Sequence, residues 1–437
     1  MFELEVLPVT DEGQDRHRLI VYRPRARLAF VGNQAMTDLA VAASHGKRQP
    51  HSPADAFLER IGFLDPDPPL PPAPAEEFRP ATAVLLMTNQ CQLRCTYCYA
   101  AAGDGAAEAL DPDTGRTAID YVCKIALEDG RDHFEVSIHG GGEPTRAWAS
   151  LQKCVDHART RDLPARVTMT SNAIWSRHQL DWITENLDGL TISVDGAPET
   201  QDRQRPFVTG RGSSGVVLRN LAELDRRGFP YAIRLTAVPP WGQLPSNVGF
   251  LSENTACRSF HVEPAFNTAR GGRPEPALAD CHAFAEAFFE AFLVARAADC
   301  ALSYSGARVG SVATSFCTAP YDAIIVTTRG QLVTCYEVTG PTHPLAALST
   351  IGRITDGEVT IDSVSRRRLR SMLTDRRLQC ADCWCYRTCA GDCYARAFGA
   401  GDNGHLTYGP RCDMNRAITR NLLLALISSG GGVWRGP

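Results

Sequence analysis

The 437-residue sequence lacks an apolar run that is long enough to cross a bilayer. The longest apolar stretch near its end, NLLLALI, covers only residues 421–427. The first residues, MFELEVLPVTDEGQDRH, also lack the basic and then apolar order of a secretory signal peptide. We therefore expect a cytoplasmic protein with no membrane partner.

An excess of charge of one sign is missing as well. The 45 Lys and Arg residues and the 49 Asp and Glu residues are intermixed and give a formal net charge of −4. Proteins that bind nucleic acid or an anionic membrane surface carry clustered positive charge, so the composition indicates neither partner. With 44% hydrophobic residues the chain can bury a large core, and its length predicts two or three domains.

Cysteine, in contrast, is abundant. The sixteen cysteines do not predict a disulfide framework, because a reducing compartment keeps thiols free and clustered cysteines there more often bind metal. Cys91, Cys95 and Cys98 lie together in CQLRCTYC, directly after the strand-like run TAVLLMT. Structural zinc needs four ligands, whereas a [4Fe-4S] cluster on three thiolates leaves one iron free for a cofactor or substrate. The alternative is a zinc site that a distant residue completes.

The first 63 residues predict a small unit of strands and helices. It contains a strand, FELEVLP, a hairpin that turns at Pro24, and helices at about 34–45 and 53–61. Asn33 and Ser52 are candidate N-caps, and Pro53 fits the first turn of the second helix. The proline-rich segment at 64–80 predicts a stiff, extended linker. A domain boundary is expected there.

From residue 81 to about residue 300, apolar strands alternate with amphipathic helices. This alternation predicts right-handed βαβ units and an α/β fold with a partial TIM-type (β/α)6 barrel. In such barrels the chemistry lies at the carboxyl ends of the strands, where the three-cysteine loop follows the first strand. The predicted strands cover residues 82–88, 134–138, 165–171, 189–194, 231–237 and 259–264.

Beyond a predicted helix at 278–297 the regularity fades, and residues 301–437 are rich in cysteine. A region of this composition is expected to be held together by metal as well as by core packing. Five cysteines stand singly in strand or helix patterns and are predicted to be packing residues. These are Cys123, Cys154, Cys257, Cys281 and Cys300.

The CxxxCxxC loop after the first strand of a βα barrel resembles the radical S-adenosylmethionine (SAM) superfamily. In that family the free iron binds the amino and carboxylate groups of SAM, and cleavage of SAM gives a 5′-deoxyadenosyl radical that abstracts a substrate hydrogen. By this resemblance Cys91, Cys95 and Cys98 hold a [4Fe-4S] cluster, and Tyr97 lies against the adenine. The alternative for Tyr97 is a local packing role.

Further stretches follow in the order of the family. GGGEPT, at 140–145, is similar to the GGEP motif, whose backbone and Glu receive the SAM ammonium; glycine permits close backbone approach, and a carboxylate suits an ammonium. TSNA, at 170–173, corresponds to a polar segment near SAM. SVDGAPETQDRQR, at 193–205, resembles a segment that contacts the ribose and carboxylate, with Gln201 in place of the usual His. The SAM-binding positions implied besides Tyr97 are Gly141, Gly142, Glu143, Ser171, Asn172, Ser193, Asp195, Arg205 and, near the adenine, Phe266.

The C-terminal cysteines resemble the SPASM extension of radical SAM peptide-modifying enzymes, which holds two auxiliary [4Fe-4S] clusters. The resemblance implies Cys380, Cys383, Cys389 and Cys412 as ligands of an outer cluster, and Cys317, Cys335 and Cys393 as ligands of an inner cluster. The inner cluster is then one ligand short, and Asp322, Cys385 or a substrate atom is a candidate for that place. Three [4Fe-4S] clusters and SAM are the implied cofactors.

The N-terminal unit is similar to the winged-helix domain that binds the leader of a ribosomal precursor peptide as an added strand. A packing or dimerising appendage is the alternative. Together the resemblances imply a peptide maturase that abstracts hydrogen from a precursor residue and forms an intramolecular C-C, C-O or thioether crosslink, with electrons from a donor such as flavodoxin or ferredoxin. The sequence does not identify a catalytic base.

Two other functions remain open from the sequence. One is sulfatase maturation, in which an acid directly follows the second SPASM cysteine, whereas Tyr336 and only then Glu337 follow Cys335 here. The other is a non-catalytic iron-sulfur protein that binds peptides or transfers electrons. The intact three-cysteine loop and the GGEP-like turn argue against it, because an electron carrier needs no open iron.

Overall fold

The fold is taken from a computed structural model, which describes residues 2–9, 18–48, 52–266, 270–271, 277–397 and 409–436. Within these ranges no helix is both long and apolar enough to cross a membrane. The strands form two sheets, one of four strands at the N-terminus and one of eleven strands through the remainder.

The N-terminal unit has the elements that the sequence predicts. Its members are β1 (Glu5–Pro8), β2 (Arg18–Arg23), β3 (Leu28–Asn33), α1 (Gln34–Ser44) and α2 (Pro53–Arg60). The Asn33 side chain accepts a hydrogen bond from the Met36 backbone N–H at 2.9 Å, and Ser52 Oγ accepts from Asp55 N–H at 3.0 Å. Both predicted N-caps are therefore confirmed.

The large sheet carries the predicted alternation of strands and helices. Its first part contains β4 (Thr82–Leu86), α3 (Pro112–Glu128), β5 (Phe134–His139), α4 (Trp148–Arg159), β6 (Ala165–Ser171), α5 (Arg177–Asn186), β7 (Gly189–Ser193), α6 (Pro198–Gln204), α7 (Ser214–Arg227), β8 (Tyr231–Ala237), α8 (Leu244–Asn254), β9 (Ser259–Pro264), α9 (Leu278–Ala297) and β10 (Ala301–Ser303). All six predicted strands and the predicted helix at 278–297 are present. The strands from β10 back to β4 pair in parallel, so the α/β fold is confirmed.

The cysteine-rich region continues the same sheet. It contains α10 (Ala319–Asp322), β11 (Ala323–Val326), β12 (Gln331–Val333), α11 (Ala346–Ser349), β13 (Thr350–Thr355), β14 (Glu358–Ile361), α12 (Ser363–Gln379), α13 (Tyr386–Cys389), α14 (Tyr394–Ala397), α15 (Pro410–Ser429) and β15 (Val433–Arg435). Strand β11 pairs with β4 in parallel, and β12, β13 and β14 follow as antiparallel strands. The start of the cysteine-rich region is thereby fixed beside the first strand of the barrel.

The chain end joins the N-terminal sheet, which the sequence does not predict. Strand β15 pairs antiparallel with β3, with Trp434 opposite Ala29. Trp434 is buried, and its ring lies 6.4 Å from that of Tyr22. Within the described residues, β1 and the three-residue β15 are therefore the two edges of this sheet.

The proline-rich linker has no helix or strand between residues 66 and 80, as predicted. Arginines hold it at both ends. Arg23 Nη2 lies 2.6 Å from Asp67 Oδ1, and Arg366 Nη2, on α12, donates to the Glu76 carbonyl at 2.7 Å. Arg366 also lies over the Phe78 ring, 4.8 Å from its centroid.

The two faces of the barrel sheet differ in polarity. On β5 the buried Phe134, Val136 and Ile138 alternate with the more exposed Glu135, Ser137 and His139. Because successive strand residues point to opposite faces, one face packs under the helices and the other is polar and open. The same alternation runs through β6, β7, β8 and β9.

Candidate active site

The three-cysteine loop follows β4 at the carboxyl end of the sheet, as predicted. Burial raises the pKa of Cys91 to about 12, and the nearby charges of Glu143 and Cys95 add to this shift. Leu93 N–H and Asn172 Nδ2 lie 3.4 Å and 3.6 Å from Cys91 Sγ. The Cys91 thiol thus lies in a site that supplies N–H donors but requires a nearby cation to stabilise its thiolate.

The GGGEPT loop packs directly on the cysteine loop. Gly142 N–H donates to the Thr88 carbonyl and Glu143 N–H to the Gln90 carbonyl, both at 2.8 Å. A Cβ on Gly142 would lie 2.2 Å from Gln90 O, and a Cβ on Gly141 would lie 2.8 Å from Thr339 Cγ2. The glycines are therefore required for close approach of the loop to its neighbours on both sides.

Glu143 is 2% exposed, and four protein donors hold its carboxylate. Oε1 accepts from Ser171 Oγ at 2.7 Å and from both the hydroxyl (2.9 Å) and the N–H (3.4 Å) of Thr145, while Oε2 accepts from Asn172 N–H at 2.9 Å. Burial raises the pKa of Glu143, and these hydrogen bonds oppose the rise. Because a carboxylate has about four lone-pair sites, Oε2 retains capacity for a further donor such as an ammonium.

Ser171 and Asn172 thus have a defined place in the structure. They follow β6 and orient Glu143, so the structure brings them to the predicted site through that carboxylate. Ser171 Oγ also accepts from Trp175 Nε1 at 2.9 Å. Motif comparison alone does not distinguish such an orienting role from a direct contact with a cofactor.

A second polar group joins the cysteine loop to the end of β7. The Tyr97 hydroxyl donates to Asp195 Oδ2 at 2.6 Å and accepts from Arg205 Nη1 at 2.7 Å. Asp195 Oδ1 accepts from Thr236 N–H at 3.0 Å and lies 4.0 Å from Arg205 Nη1. Burial raises the pKa of Asp195, and the charge of Arg205 opposes the rise. The three predicted residues Tyr97, Asp195 and Arg205 form one buried network.

Two buried polar atoms at this site have no hydrogen-bond partner among the described residues, Arg205 Nε and Gln92 Oε1. A buried N–H donor and a buried carbonyl acceptor without partners are costly. They fit a bound molecule that carries both an acceptor such as a carboxylate and a donor such as an ammonium. SAM has both groups.

The position that usually holds His carries a structural residue here. Gln201 is buried, its Oε1 accepts from Asp195 N–H at 3.0 Å, and its Nε2 donates to Ser213 Oγ at 3.0 Å. Ser193 ends β7 on the open face. Phe266 follows β9, and its ring lies 5.4 Å from that of Trp241, which puts an apolar wall at the same end of the sheet.

The predicted inner ligands come together near β11. Cys317, Cys335 and Cys393 pack around one small apolar cluster. Burial raises the pKa of Cys335 to about 12, and the charges of Cys393 and Cys317 add to the shift. The three thiols therefore face a common space.

The predicted outer ligands form a separate group. Burial raises the pKa of Cys380, and the charges of Cys383 and Cys412 add to the rise. Burial likewise raises the pKa of Cys389 to about 12, with Cys412 among its neighbours. Arg416 Nη2 lies 3.6 Å from Cys383 Sγ. The seven cysteines thus lie in two groups in the structure, and the ligand roles that the resemblance implies stay predictions.

Two candidates for the missing inner ligand differ in position. Cys385 is 2% exposed and hydrogen-bonds to Cys383, which is the main cause of the lowered pKa of Cys383, about 5. Cys385 thus lies beside the outer group. Asp322 lies near Cys317, whose pKa it raises in addition to burial. Only Asp322, of these two side chains, is near the inner group.

The inner group lies close to the three-cysteine loop. The Tyr99 hydroxyl is 3.5 Å from the Tyr336 carbonyl. The Tyr336 ring lies 5.1 Å from the ring of His139, the residue before the glycine loop. Sequence comparison did not identify Tyr99, Tyr336 or His139 as site residues, because their contacts join segments that are far apart in the chain.

All sixteen cysteines are free thiols in the structure. Among the described residues, no three His, Cys, Asp or Glu side chains converge closely enough for one metal ion. Thiolates that bind separate irons of a [4Fe-4S] cube lie around it, so they need not converge on one point.

Comparison with known proteins agrees with this geometry. Residues 85–242 match the radical SAM superfamily. An uncharacterized protein of Methanocaldococcus jannaschii is 28% identical over 153 residues, which are 34% of this chain and 50% of that protein. The Fe-coproporphyrin III synthase of Methanosarcina barkeri is 29% identical over 152 residues, 34% of this chain and 35% of that enzyme. The match thus spans half or less of the length of these relatives.

Two solved structures extend the similarity of fold beyond the barrel. The structure of anSMEcpe with bound AdoMet has a TM-score of 0.64 at 14% identity, covering 80% of this chain and 98% of that chain. Streptococcus suis SuiB bound to its precursor peptide SuiA has a TM-score of 0.53 at 16% identity, covering 86% of this chain and 89% of that chain. The chain is thus similar in fold to both proteins over most of its length, and its residues 85–242 match the radical SAM superfamily.

Proposed function

We propose that this protein is a cytoplasmic radical SAM maturase that forms a crosslink within a ribosomal precursor peptide. The observation that carries the proposal is that the two three-thiol groups lie close together. The hydroxyl of Tyr99, which follows Cys98, is 3.5 Å from the carbonyl of Tyr336, which follows Cys335. A radical formed at the first group would act on a substrate that the second group can also reach. This arrangement suits a two-stage oxidation of one peptide.

The residues around the first group have separate tasks. Cys91, Cys95 and Cys98 would hold the cluster, and Glu143 and Arg205 would hold the ammonium and carboxylate of SAM. Once bound, the cluster and SAM supply a 5′-deoxyadenosyl radical for hydrogen abstraction. The Tyr97 network fixes Arg205 at a constant position, so the carboxylate partner does not shift during turnover.

A crosslink removes two hydrogens from the peptide. One leaves as a hydrogen atom and the other as a proton and an electron. Cys317, Cys335 and Cys393 would hold an inner cluster that accepts this electron, and the outer group would hold a third cluster that passes it on. A flavodoxin or ferredoxin would supply the electron that starts each cycle.

The N-terminal sheet is the proposed leader-binding site. Two solved neighbours support a peptide substrate, one bound to precursor peptide SuiA and the other to a Cp18Cys peptide. Strands β1 and β15 are the edges of this sheet. We place the leader on β1, the longer of the two, where Val6 is 37% exposed.

Sulfatase maturation is less well supported. The acid nearest the second inner cysteine, Glu337, pairs with Arg396 at 2.8 Å, and Tyr336 occupies the position directly after Cys335. A carboxylate already engaged by a guanidinium is a weaker base than a free one. Formylglycine in a sulfatase-motif peptide incubated with the enzyme would restore this candidate.

The test starts with anaerobic reconstitution. Three clusters correspond to about twelve irons per chain, and addition of SAM and dithionite should give 5′-deoxyadenosine. Cys95→Ala should abolish that product, whereas the matched control Cys300→Ala, a buried cysteine outside all three groups, should retain it. A non-catalytic iron-sulfur protein would release no 5′-deoxyadenosine in any variant.

Crosslinking itself needs a peptide. Co-expression with a short peptide encoded beside the gene should make that peptide two hydrogens lighter. An unchanged mass, with 5′-deoxyadenosine still formed, would refute crosslinking and leave the radical chemistry intact.

A further inference from the structure

Arg234 occupies an unusual place in the barrel sheet. It lies on β8, between Ile233 (0% exposed) and Leu235 (1% exposed), yet its own side chain is exposed. Strand β8 has a neighbour on each side. Its exposed side chain therefore points to the open face of the barrel, not to solvent at a sheet edge.

The register puts polar residues beside it. Ser193 on β7 and His261 on β9 are the direct neighbours of Arg234, and Ser303 on β10 is the neighbour of His261. Within the described part of the chain, the Arg234 guanidinium makes no hydrogen bond and no ion pair.

Groups from both cysteine loops lie within the field of Arg234. The Tyr336 and His139 side chains are both close enough to Arg234 to feel its charge. The Tyr99 side chain is close enough as well. Tyr99 follows Cys98 and Tyr336 follows Cys335, so Arg234 faces the space between the two thiol groups.

The nearest acid on the open face is already engaged. Glu263 Oε1 lies 3.0 Å from His261 Nε2 and accepts from Ser305 N–H at 3.3 Å. Burial favours a higher pKa for Glu263, but the hydrogen bond from His261 and the charges of His261 and Arg234 lower it to about 2. Glu263 therefore stays ionised but does not pair with Arg234 within 4 Å.

A second arginine on the same face behaves differently. Arg166, near the start of β6, lies 4.0 Å from Glu135 on the neighbouring strand. Its charge is balanced at the end of the strand that is remote from the cysteine loop. Arg234 differs from Arg166 because no carboxylate of the described residues lies within 4 Å of its guanidinium.

We infer that Arg234 binds a carboxylate of the peptide substrate and so positions the reacting residue between the two thiol groups. The inference rests on the proposed function and names its substrate class. A guanidinium suits this task because its planar fork donates two parallel hydrogen bonds to one carboxylate. The carboxylate comes from an Asp or Glu side chain or from the C-terminus of the peptide. The guanidinium can bind both kinds of carboxylate in the same way.

The test measures binding to the reconstituted enzyme with SAM and without reductant. The probes are tripeptides N-acetyl-Ala-X-Ala-amide, with X as Asp, Glu, Asn or Gln, and N-acetyl-Ala-Ala-Ala with a free carboxylate. Frontal affinity chromatography with mass spectrometry ranks such weak ligands. We expect the wild type to retain at least one carboxylate peptide roughly tenfold or more better than its amide counterpart.

The variants assign this preference to one side chain. Arg234→Gln should reduce it to within about twofold, since the ionic hydrogen bonds are lost. Arg234→Lys should restore part of it, because a charge remains without the fork. Arg166→Gln, the matched control, should leave it unchanged.

The inference is overturned if the wild type prefers no carboxylate peptide, or if Arg234→Gln keeps the preference. Comparison of the amidated Asp and Glu peptides with the free-acid peptide tells whether Arg234 binds a side-chain carboxylate or a C-terminal one. Failure of the proposed function is distinguishable, because 5′-deoxyadenosine released on addition of dithionite is measured separately. Its absence from the wild type removes the radical chemistry, while the retention ratios still decide whether Arg234 binds a carboxylate.

Discussion

Removal of one hydroxyl group, by Tyr97→Phe, tests the network that joins the cysteine loop to the barrel. That hydroxyl bonds to Asp195 at 2.6 Å and to Arg205 at 2.7 Å. The substitution keeps the ring and deletes both bonds. The two charged side chains then lie buried with their closest atoms 4.0 Å apart.

The cost follows from the charge of both partners. A hydrogen bond to an ionised group contributes about 1.5–3 kcal/mol, so two such bonds would total about 3–6 kcal/mol. Part is recovered as Arg205 moves toward Asp195, and the Gln204 amide nitrogen, 2.9 Å from Asp195 Oδ2, continues to donate to that carboxylate. We expect a net loss of about 3 kcal/mol of unfolding free energy.

Anaerobic calorimetry of the reconstituted protein measures this loss. For a cooperative unit of about 150–250 residues, each kcal/mol shifts Tm by about 2–4 °C, so Tm should fall by roughly 6 °C or more. Tyr99→Phe is the matched control, since that hydroxyl lies 3.5 Å from a neutral carbonyl and should cost about 1 kcal/mol or less. Equal shifts for the two variants would refute the reasoning.

Three further predictions address the loop, the extra thiol and the pH response. Gly142→Ala should lower both Tm and bound iron, as measured by calorimetry and iron analysis, because the added Cβ would lie 2.2 Å from the Gln90 carbonyl; wild-type values would contradict the close packing. Cys385→Ala should retain the iron content of the wild type, whereas Cys383→Ala should lose about four irons; equal losses would make Cys385 a ligand. Burial lowers the pKa of His139 from 6.5 to about 4. Between these pH values the unfolded state binds a proton at this residue and the folded state does not. The free energy of unfolding therefore falls as the pH drops below about 6.5, by up to roughly 1.4 kcal/mol per pH unit. In urea titrations His139→Gln should show a smaller loss between pH 7 and pH 5, and an unchanged pH dependence would show that His139 is not the group responsible.

The sequence predicts the parallel strands well because each is a compact apolar run followed by a helix. Two strands of the same parallel set were missed, β10 and β11, which are only three and four residues long. Runs this short carry too little periodicity to be recognised. Their position depends on tertiary pairing with β9 and β4, which no local pattern encodes.

The grouping of the thiols could be predicted from the resemblance to the radical SAM and SPASM families, which implies it. The contacts between groups could not. Tyr99 and Tyr336 are separated by 237 positions along the chain, and nothing in either local sequence indicates that they meet. The same reason explains why β15 was assigned to the C-terminal region although it completes the N-terminal sheet.

The open face of the barrel illustrates this limit most clearly. In sequence, Arg234 is one polar residue in the alternating strand YAIRLTA and is indistinguishable from a solvent-facing residue. The strand pairing makes the difference, because β7 and β9 enclose β8 and turn its polar side toward the cysteine loops. Arg234 is exposed on that face and pairs with no carboxylate of the described residues, so its guanidinium is free to bind a ligand. Tyr97, in contrast, lies in a motif but acts through a network that the motif does not describe. Local patterns thus point to the cysteine groups, whereas the position of Arg234 on the open face emerges only from the packing of distant segments.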